Sequence, residues 1–335
     1  MRRSASVHTS ASGLVGTLST LSTGWLPLTA ATPITAWTAT NKATTITVTI
    51  AARAAAEDVT VTVHAEDATL FDESARERDA GGAGRDADAD LWSAYRTAEA
   101  EVAAVERALD VAADTGAQVH VAHASTPAGV DRAAAAGATC EVTPHHLFLS
   151  RGDLADLGTY GRMNPPLRSP ERRDALFERV ADGTVDVVAT DHAPHTRAEK
   201  ETGLWDAPSG VPGVETALPL LLAAVRDGEL PLERVRDLTA ANPAVVFDLS
   251  RKGGIEAGRD ADLVLVDLDR TREIRAVDRH TKCDWTPFEG MDGVFPRWTM
   301  RRGEVVYAAD DAALPPALAP DGTFGTAAGG NVRSA

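Results

Sequence analysis

Asp191, His192 and His195 stand together in Ala189-Thr190-Asp191-His192-Ala193-Pro194-His195, and a carboxylate beside imidazoles can ligate a divalent metal or exchange a proton with water. The apolar run Val185-Asp186-Val187-Val188 precedes them, so Asp191 is expected where a short buried strand gives way to a loop. A buried carboxylate there requires a metal, a cation or a proton as partner, because an uncompensated buried charge is costly. The plain alternative is an aspartate capping the next helix beside two surface histidines. Short motifs match often by chance, so the surrounding elements decide.

Those elements repeat one arrangement. Val59-Thr60-Val61-Thr62-Val63 reads as a strand closing on His64, Gln118 to Ala122 as one closing on His123, and Thr139 to Thr143 as one followed by His145 and His146. Between them, Glu99 to Val111 carries Val102, Val105 and Leu109 at helical spacing, a second helix is expected around Val130 to Ala136, and Pro170 to Val180 gives a third with proline near its start. Four strand–helix alternations, each delivering His or Asp at the strand's C-terminal end, predict part of a parallel (β/α)8 TIM-type barrel, whose chemistry sits at that end. Residues 72 to 90 read as an acidic loop interrupted by Gly81-Gly82-Ala83-Gly84. Val211 to Arg226 reads as a helix, and Asn242-Pro243 as an N-cap with proline at the next position. Strands at Asp262 to Asp267 and Gly303 to Tyr307 predict a small β segment. The expected divisions are 1–56, a partial barrel at 57–250, a β segment at 251–309, and a loosely ordered tail at 310–335.

Charge narrows the partners. The 335 residues carry 33 basic and 49 acidic side chains, a net of −16, and only four of the basic residues are lysine. A nucleic-acid surface needs a basic footprint, so nucleic acid is excluded as a partner. The acidic, lysine-poor composition suits concentrated salt, where self-repulsion is screened, and resembles proteins of halophilic archaea. Cys140 and Cys283 are too few for a disulfide framework, which points to a reducing, cytoplasmic compartment. No apolar run reaches the roughly 20 residues that span a bilayer.

Residues 1–56 break with this pattern: they contain no Asp or Glu and carry +4, against −20 for the remainder. They are Ser/Thr-rich and show no sustained amphipathic helical period. A signal peptide opening on Arg2-Arg3, a disordered low-complexity arm, and a stretch outside the reading frame of residues 57–335 all compete as readings. The abrupt change of composition favours the last.

From about Val59 to Tyr307 the chain resembles the dihydroorotases of the amidohydrolase superfamily. The resemblance rests on His64-Ala65-Glu66-Asp67, His120-Val121-Ala122-His123-Ala124-Ser125-Thr126, Thr143-Pro144-His145-His146, Asn164-Pro165-Pro166-Leu167-Arg168, Thr190-Asp191-His192-Ala193-Pro194-His195, Ala207-Pro208-Ser209-Gly210, and Lys282 to Gly290. It implies a binuclear zinc site, with His64 and His123 on the second metal and Asp191 on the first and acting as general base. It also implies substrate contacts from Asn164, His195, Ser209 and Gly210, and His145 and His146 as supports or ligands. The implied reaction is the reversible cyclisation of N-carbamoyl-L-aspartate to (S)-dihydroorotate in pyrimidine synthesis, by metal-activated hydroxide. Allantoinase and dihydropyrimidinase share the pattern, though His195 four positions beyond Asp191 favours dihydroorotase. A catalytically inactive relative acting as a structural partner, or a secreted metal-binding protein, is the reading from another class.

One part of the family's pattern is absent. A first strand ending in His-x-His and a bridging Asp or carboxylated Lys should precede His64, where the only histidine is His8. The expectation is therefore an incomplete first-metal site and half a barrel, whose open strand edge and apolar face favour self-association into a homo-oligomer.

Overall fold

The computed structural model describes residues 4–7, 42–82, 87–281, 283–309 and 312, with 4–7 and 42–47 described by backbone alone. Five strands form one parallel sheet in chain order: β1 (Ser4–Val7), β2 (Thr60–Val63), β3 (Val119–Val121), β4 (Thr139–Val142) and β5 (Val187–Val188). One longer helix precedes each strand after the first: α1 (Lys42–Ala56), α2 (Ala98–Thr115), α3 (Pro127–Ala135) and α4 (Pro170–Asp182). Parallel neighbours need such crossovers, because a tight turn can only reverse the chain. The alternation is that of a (β/α) barrel, and among the described residues the sheet is open at β1 and β5.

The helices begin and end where their sequence signals stand. Thr97 accepts a hydrogen bond from the Ala100 N–H at the start of α2, and Gly116 closes that helix with φ 72°. Thr126 caps α3 ahead of Pro127, and Gly183 ends α4 at φ 96°. Val105 and Val130 from the helices meet Val121, Cys140 and Val142 from the sheet in one buried cluster, which Leu221 and Leu222 of α5 (Ala217–Arg226) extend. A second cluster, with Trp92, Tyr160, Met163, Leu204, Trp285 and Phe288, lies under the long loops and fixes their backbone. After α5, β6 (Leu263–Leu265), β9 (Trp298–Arg301) and β10 (Glu304–Ala308) make an antiparallel sheet, while β7 (Thr271–Glu273) pairs with β8 (Asp292–Val294).

Four local expectations differ from the structure. Residues 42–56 form a helix although their Thr/Ile/Val run shows no helical period; the run Ala51-Ala52-Arg53-Ala54-Ala55-Ala56 has strong helix propensity, and Ala51 and Ala54 are buried. The acidic loop contains two short helices, Ser74–Glu77 and the start of Asp90–Tyr95. The helix expected from Val211 begins at Ala217, because the Gly213 and Val214 N–H groups are spent on His192. Asn242 is not an N-cap: its backbone is helical, continuing from Asp237–Ala241, and its side-chain amide donates to Asp186 O at 2.8 Å. His8 and most of residues 1–41 lie outside the described residues, as does most of the expected tail.

Candidate active site

The sheet delivers its chemistry beyond the C-terminal ends of β2 to β5. His64 follows β2, and its Nδ1 lies 2.7 Å from Nε2 of His123, which follows β3. The other nitrogen of His64, Nε2, stands 3.2 Å from the Glu66 carboxylate. That carboxylate is buried and grips Arg96 with both oxygens. Burial raises the Glu66 carboxyl, but the bonds from His64 and Arg96 outweigh it and hold it at about 2. With its proton drawn to Nε2 by Glu66, His64 turns an unprotonated Nδ1 toward His123.

His123 is held at φ 37°, a left-handed conformation that costs a non-glycine residue about 1 kcal/mol or more. The loop after it is anchored from below. Glu101, on α2 and almost fully buried, accepts from Ser125 N at 2.9 Å, Thr126 N at 2.8 Å, Thr126 Oγ1 at 2.7 Å and the Ser125 hydroxyl. Arg168 completes the cluster, reaching Glu101 at 3.2 Å, Ser125 Oγ at 2.9 Å and Arg96 O at 2.6 Å. Two buried charges compensated in this way tie the His64 and His123 loops into one body.

His145 and His146 are fully buried beside them, with ring centroids 4.4 Å apart. His146 Nε2–H donates to Pro165 O at 3.0 Å while Nδ1 accepts from Thr143 Oγ1 at 2.8 Å, so both ring nitrogens are satisfied in the neutral form. Burial pushes His146 down to about 3, and burial followed by the neighbouring imidazoles pushes His145 well below its ordinary value. Nδ1 of His123 and Nε2 of His145 are buried nitrogens with no hydrogen-bond partner among the described residues.

Asp191 differs from its expectation. It follows β5 at φ 44°, but it is exposed rather than buried, because β5 is two residues long and only the single bridge His192–Val211 lies beyond it. Its charge still reaches His123, where it favours the protonated ring against burial.

The expected substrate residues are linked through shared neighbours: Arg162 bonds Ser209 and stacks on Trp92, which bonds Asn164. His195 Nε2–H donates to Ser209 O at 3.1 Å, and Trp285 Nε1 donates to His195 O at 2.7 Å. Asn164 Oδ1 stands 3.2 Å from Trp92 Nε1, and the Arg162 guanidinium lies 3.7 Å over the Trp92 ring. Gly210 takes φ 119° and passes so close to Ala193 that a Cβ would fall 2.5 Å from the Ala193 Cβ, so only glycine fits. Glu66, Glu101, Arg162 and Lys200 build the site without having stood out in the sequence.

The Amidohydrolase family profile matches residues 3–306. This chain belongs to the amidohydrolase family. Among curated proteins, this amidohydrolase is 69% identical over 258 residues to a dihydroorotase of Halobacterium salinarum, covering 77% of its own length and 59% of the relative's. It is 46% identical over 244 residues to a dihydroorotase of Methanosarcina mazei, covering 69% and 54%. The chain thus spans a little over half the length of these relatives. Among solved structures, an L-hydantoinase (dihydropyrimidinase) of Arthrobacter aurescens superposes with TM-score 0.74 at 29% identity, covering 82% of this chain and 63% of the other. A D-hydantoinase of a Thermus species gives 0.70 at 26%, covering 78% and 59%. The open parallel sheet is accordingly part of a TIM-type barrel.

Dihydroorotases of this family are metal-dependent, and the residues present fit that chemistry in part. His64 Nδ1 and His123 Nε2 face each other at 2.7 Å and share one proton, with Glu66 behind the first as an orienting carboxylate; only with that proton displaced could both nitrogens turn lone pairs to a metal. Among the described residues, no three His, Cys, Asp or Glu side chains converge as a metal site. No helix of the described residues is long and apolar enough to cross a membrane.

Proposed function

We propose that this amidohydrolase is a dihydroorotase, hydrolysing the ring amide of (S)-dihydroorotate to N-carbamoyl-L-aspartate and closing it in reverse. The observation that carries this reading is the 69% identity over 258 residues, 77% of the chain, to a curated dihydroorotase. His64 and His123 would hold zinc, which when bound polarises the ring carbonyl and acidifies water. Asp191 takes the proton of the attacking water and returns it to the departing amide nitrogen. An exposed carboxylate suits that task, since it can exchange protons without repacking the core. Asn164, His195 and the Ser209-Gly210 backbone orient the substrate. The two buried cysteines Cys140 and Cys283, neither in a disulfide, support a reducing cytoplasm, and the open edges of the sheet support a homo-oligomer.

Two observations favour other readings. The solved neighbours named above are hydantoinases, which favours a hydantoinase-type ring specificity. The two-imidazole arrangement favours an inactive, dihydroorotase-like structural partner. Purified chain is assayed for zinc content and for turnover of dihydroorotate, hydantoin and dihydrouracil. Preferred turnover of dihydroorotate is the expected result. Preference for hydantoin supports the second reading, and less than about one zinc per chain with no turnover supports the third.

A further inference from the structure

Residues 207–210 lie in no helix or strand, so no ladder of backbone bonds fixes them, yet each of their four carbonyls takes a side-chain donor. Arg162 donates to Ala207 O, and also to Ser209 Oγ at 2.9 Å; His195 donates to Ser209 O at 3.1 Å. The remaining two, Pro208 O at 2.8 Å and Gly210 O at 3.2 Å, belong to Lys200 Nζ, which spends its third N–H on Arg162 O at 3.0 Å. Arg162 O in turn accepts from Gly210 N at 3.0 Å. Three protons of one ammonium therefore meet three carbonyls from two separate stretches of chain, a geometry that a guanidinium's flat fork does not reproduce.

Lys200 is completely buried at the end of the short helix Arg197–Lys200 and forms no ion pair with a carboxylate among the described residues. Burial, with Arg162 nearby, pushes its ammonium down to about 7. A methionine of similar reach would fill the same space without that desolvation cost, so packing does not explain the charge. What the charge does is orient peptides. With Pro208 O turned inward onto Nζ, the Ser209 N–H across the same trans peptide faces the opposite way, and among the described residues it has no acceptor.

We infer that Lys200 is a positioning residue for substrate recognition: its ammonium fixes the course of Pro208-Ser209-Gly210 so that the outward Ser209 N–H meets an oxygen of the substrate. This rests on the reading of Ser209 and Gly210 as substrate contacts. In the full chain, Lys200→Met is expected to raise KM for dihydroorotate by roughly tenfold with kcat within about threefold, the mark of lost binding rather than lost chemistry. Amide exchange across 203–212 should quicken by roughly tenfold while α2 and α3 keep their protection. Lys200→Gln, which retains two N–H donors, should lie between the two, and it carries the comparison if the methionine variant does not fold. Unchanged KM and exchange overturn the inference, as does general unfolding of both variants in place of a change confined to this segment. If the unsubstituted chain does not turn over dihydroorotate, the substrate reading falls, and the exchange measurement alone decides whether Lys200 positions the segment.

Discussion

His123 and Asp191 occupy matching places after their strands, both at positive φ, yet one is buried among imidazoles and the other stands in solvent. Behind His123 lie Glu66, Arg96, Glu101 and Arg168, a set of buried charges that pair with one another across a strand end, helix α2 and the loops beside them. Around Asp191 the neighbours His192, Ala193 and His195 are pinned by neutral hydrogen bonds and one isolated bridge, with no buried ion pair among them in the described residues. Stability and reactivity are therefore separated in this half of the site. The β2–β4 side is held rigid by compensated charge, while the β5 side presents its carboxylate on a loop.

Breaking the buried side should give the largest change in stability. Arg168→Met leaves Glu101 buried without its cation, and an expected loss of about 3–5 kcal/mol should appear in urea unfolding. A loss below about 1 kcal/mol would mean that the Ser125 and Thr126 donors suffice alone. Acid should act on the same side through His146. Its folded imidazole stays neutral down to about 3, whereas the unfolded one takes up a proton below about 6.5. The unfolded state then binds more protons, so stability falls as pH drops from about 6.5 toward 3, by up to about 1.4 kcal/mol per pH unit. Unfolding of the chain and of His146→Gln at pH 7, 6, 5 and 4 should show the variant with the shallower slope; equal slopes would place the acid sensitivity elsewhere.

The open side should answer in the opposite way. Asp191→Asn is expected to move stability by no more than about 0.5 kcal/mol, the ordinary range for an exposed position, and a thermal melt measures it. A smaller, diffuse effect should come from salt. The net charge of −16 predicts a melting temperature that rises on going from about 0.1 M to molar KCl, and a falling one would contradict the account of the acidic surface.

The strand ends were legible because β-branched runs, prolines and capping threonines are local signals, and His64, His123 and His195 sit beside them. The exposure of Asp191 was not legible. Whether a strand end is buried depends on the next strand in the sheet, which leaves no trace near residue 191. Glu101 and Lys200 were hidden for a related reason: each acts on a loop 24 or 8–10 residues away, and neither spacing corresponds to a helical or strand period. Helix α1 escaped because its Thr/Ile/Val first half favours strand, while the alanine-rich second half, with Ala51 and Ala54 buried, carries the helix.

The most direct test is the rate of dihydroorotate hydrolysis by Asp191→Asn beside that of the unsubstituted chain, with both melted under the same conditions. A fall of about a hundredfold or more, at unchanged stability, is the predicted result for a general base on an open loop. An unaltered rate, or a rate lost together with the fold, would contradict it.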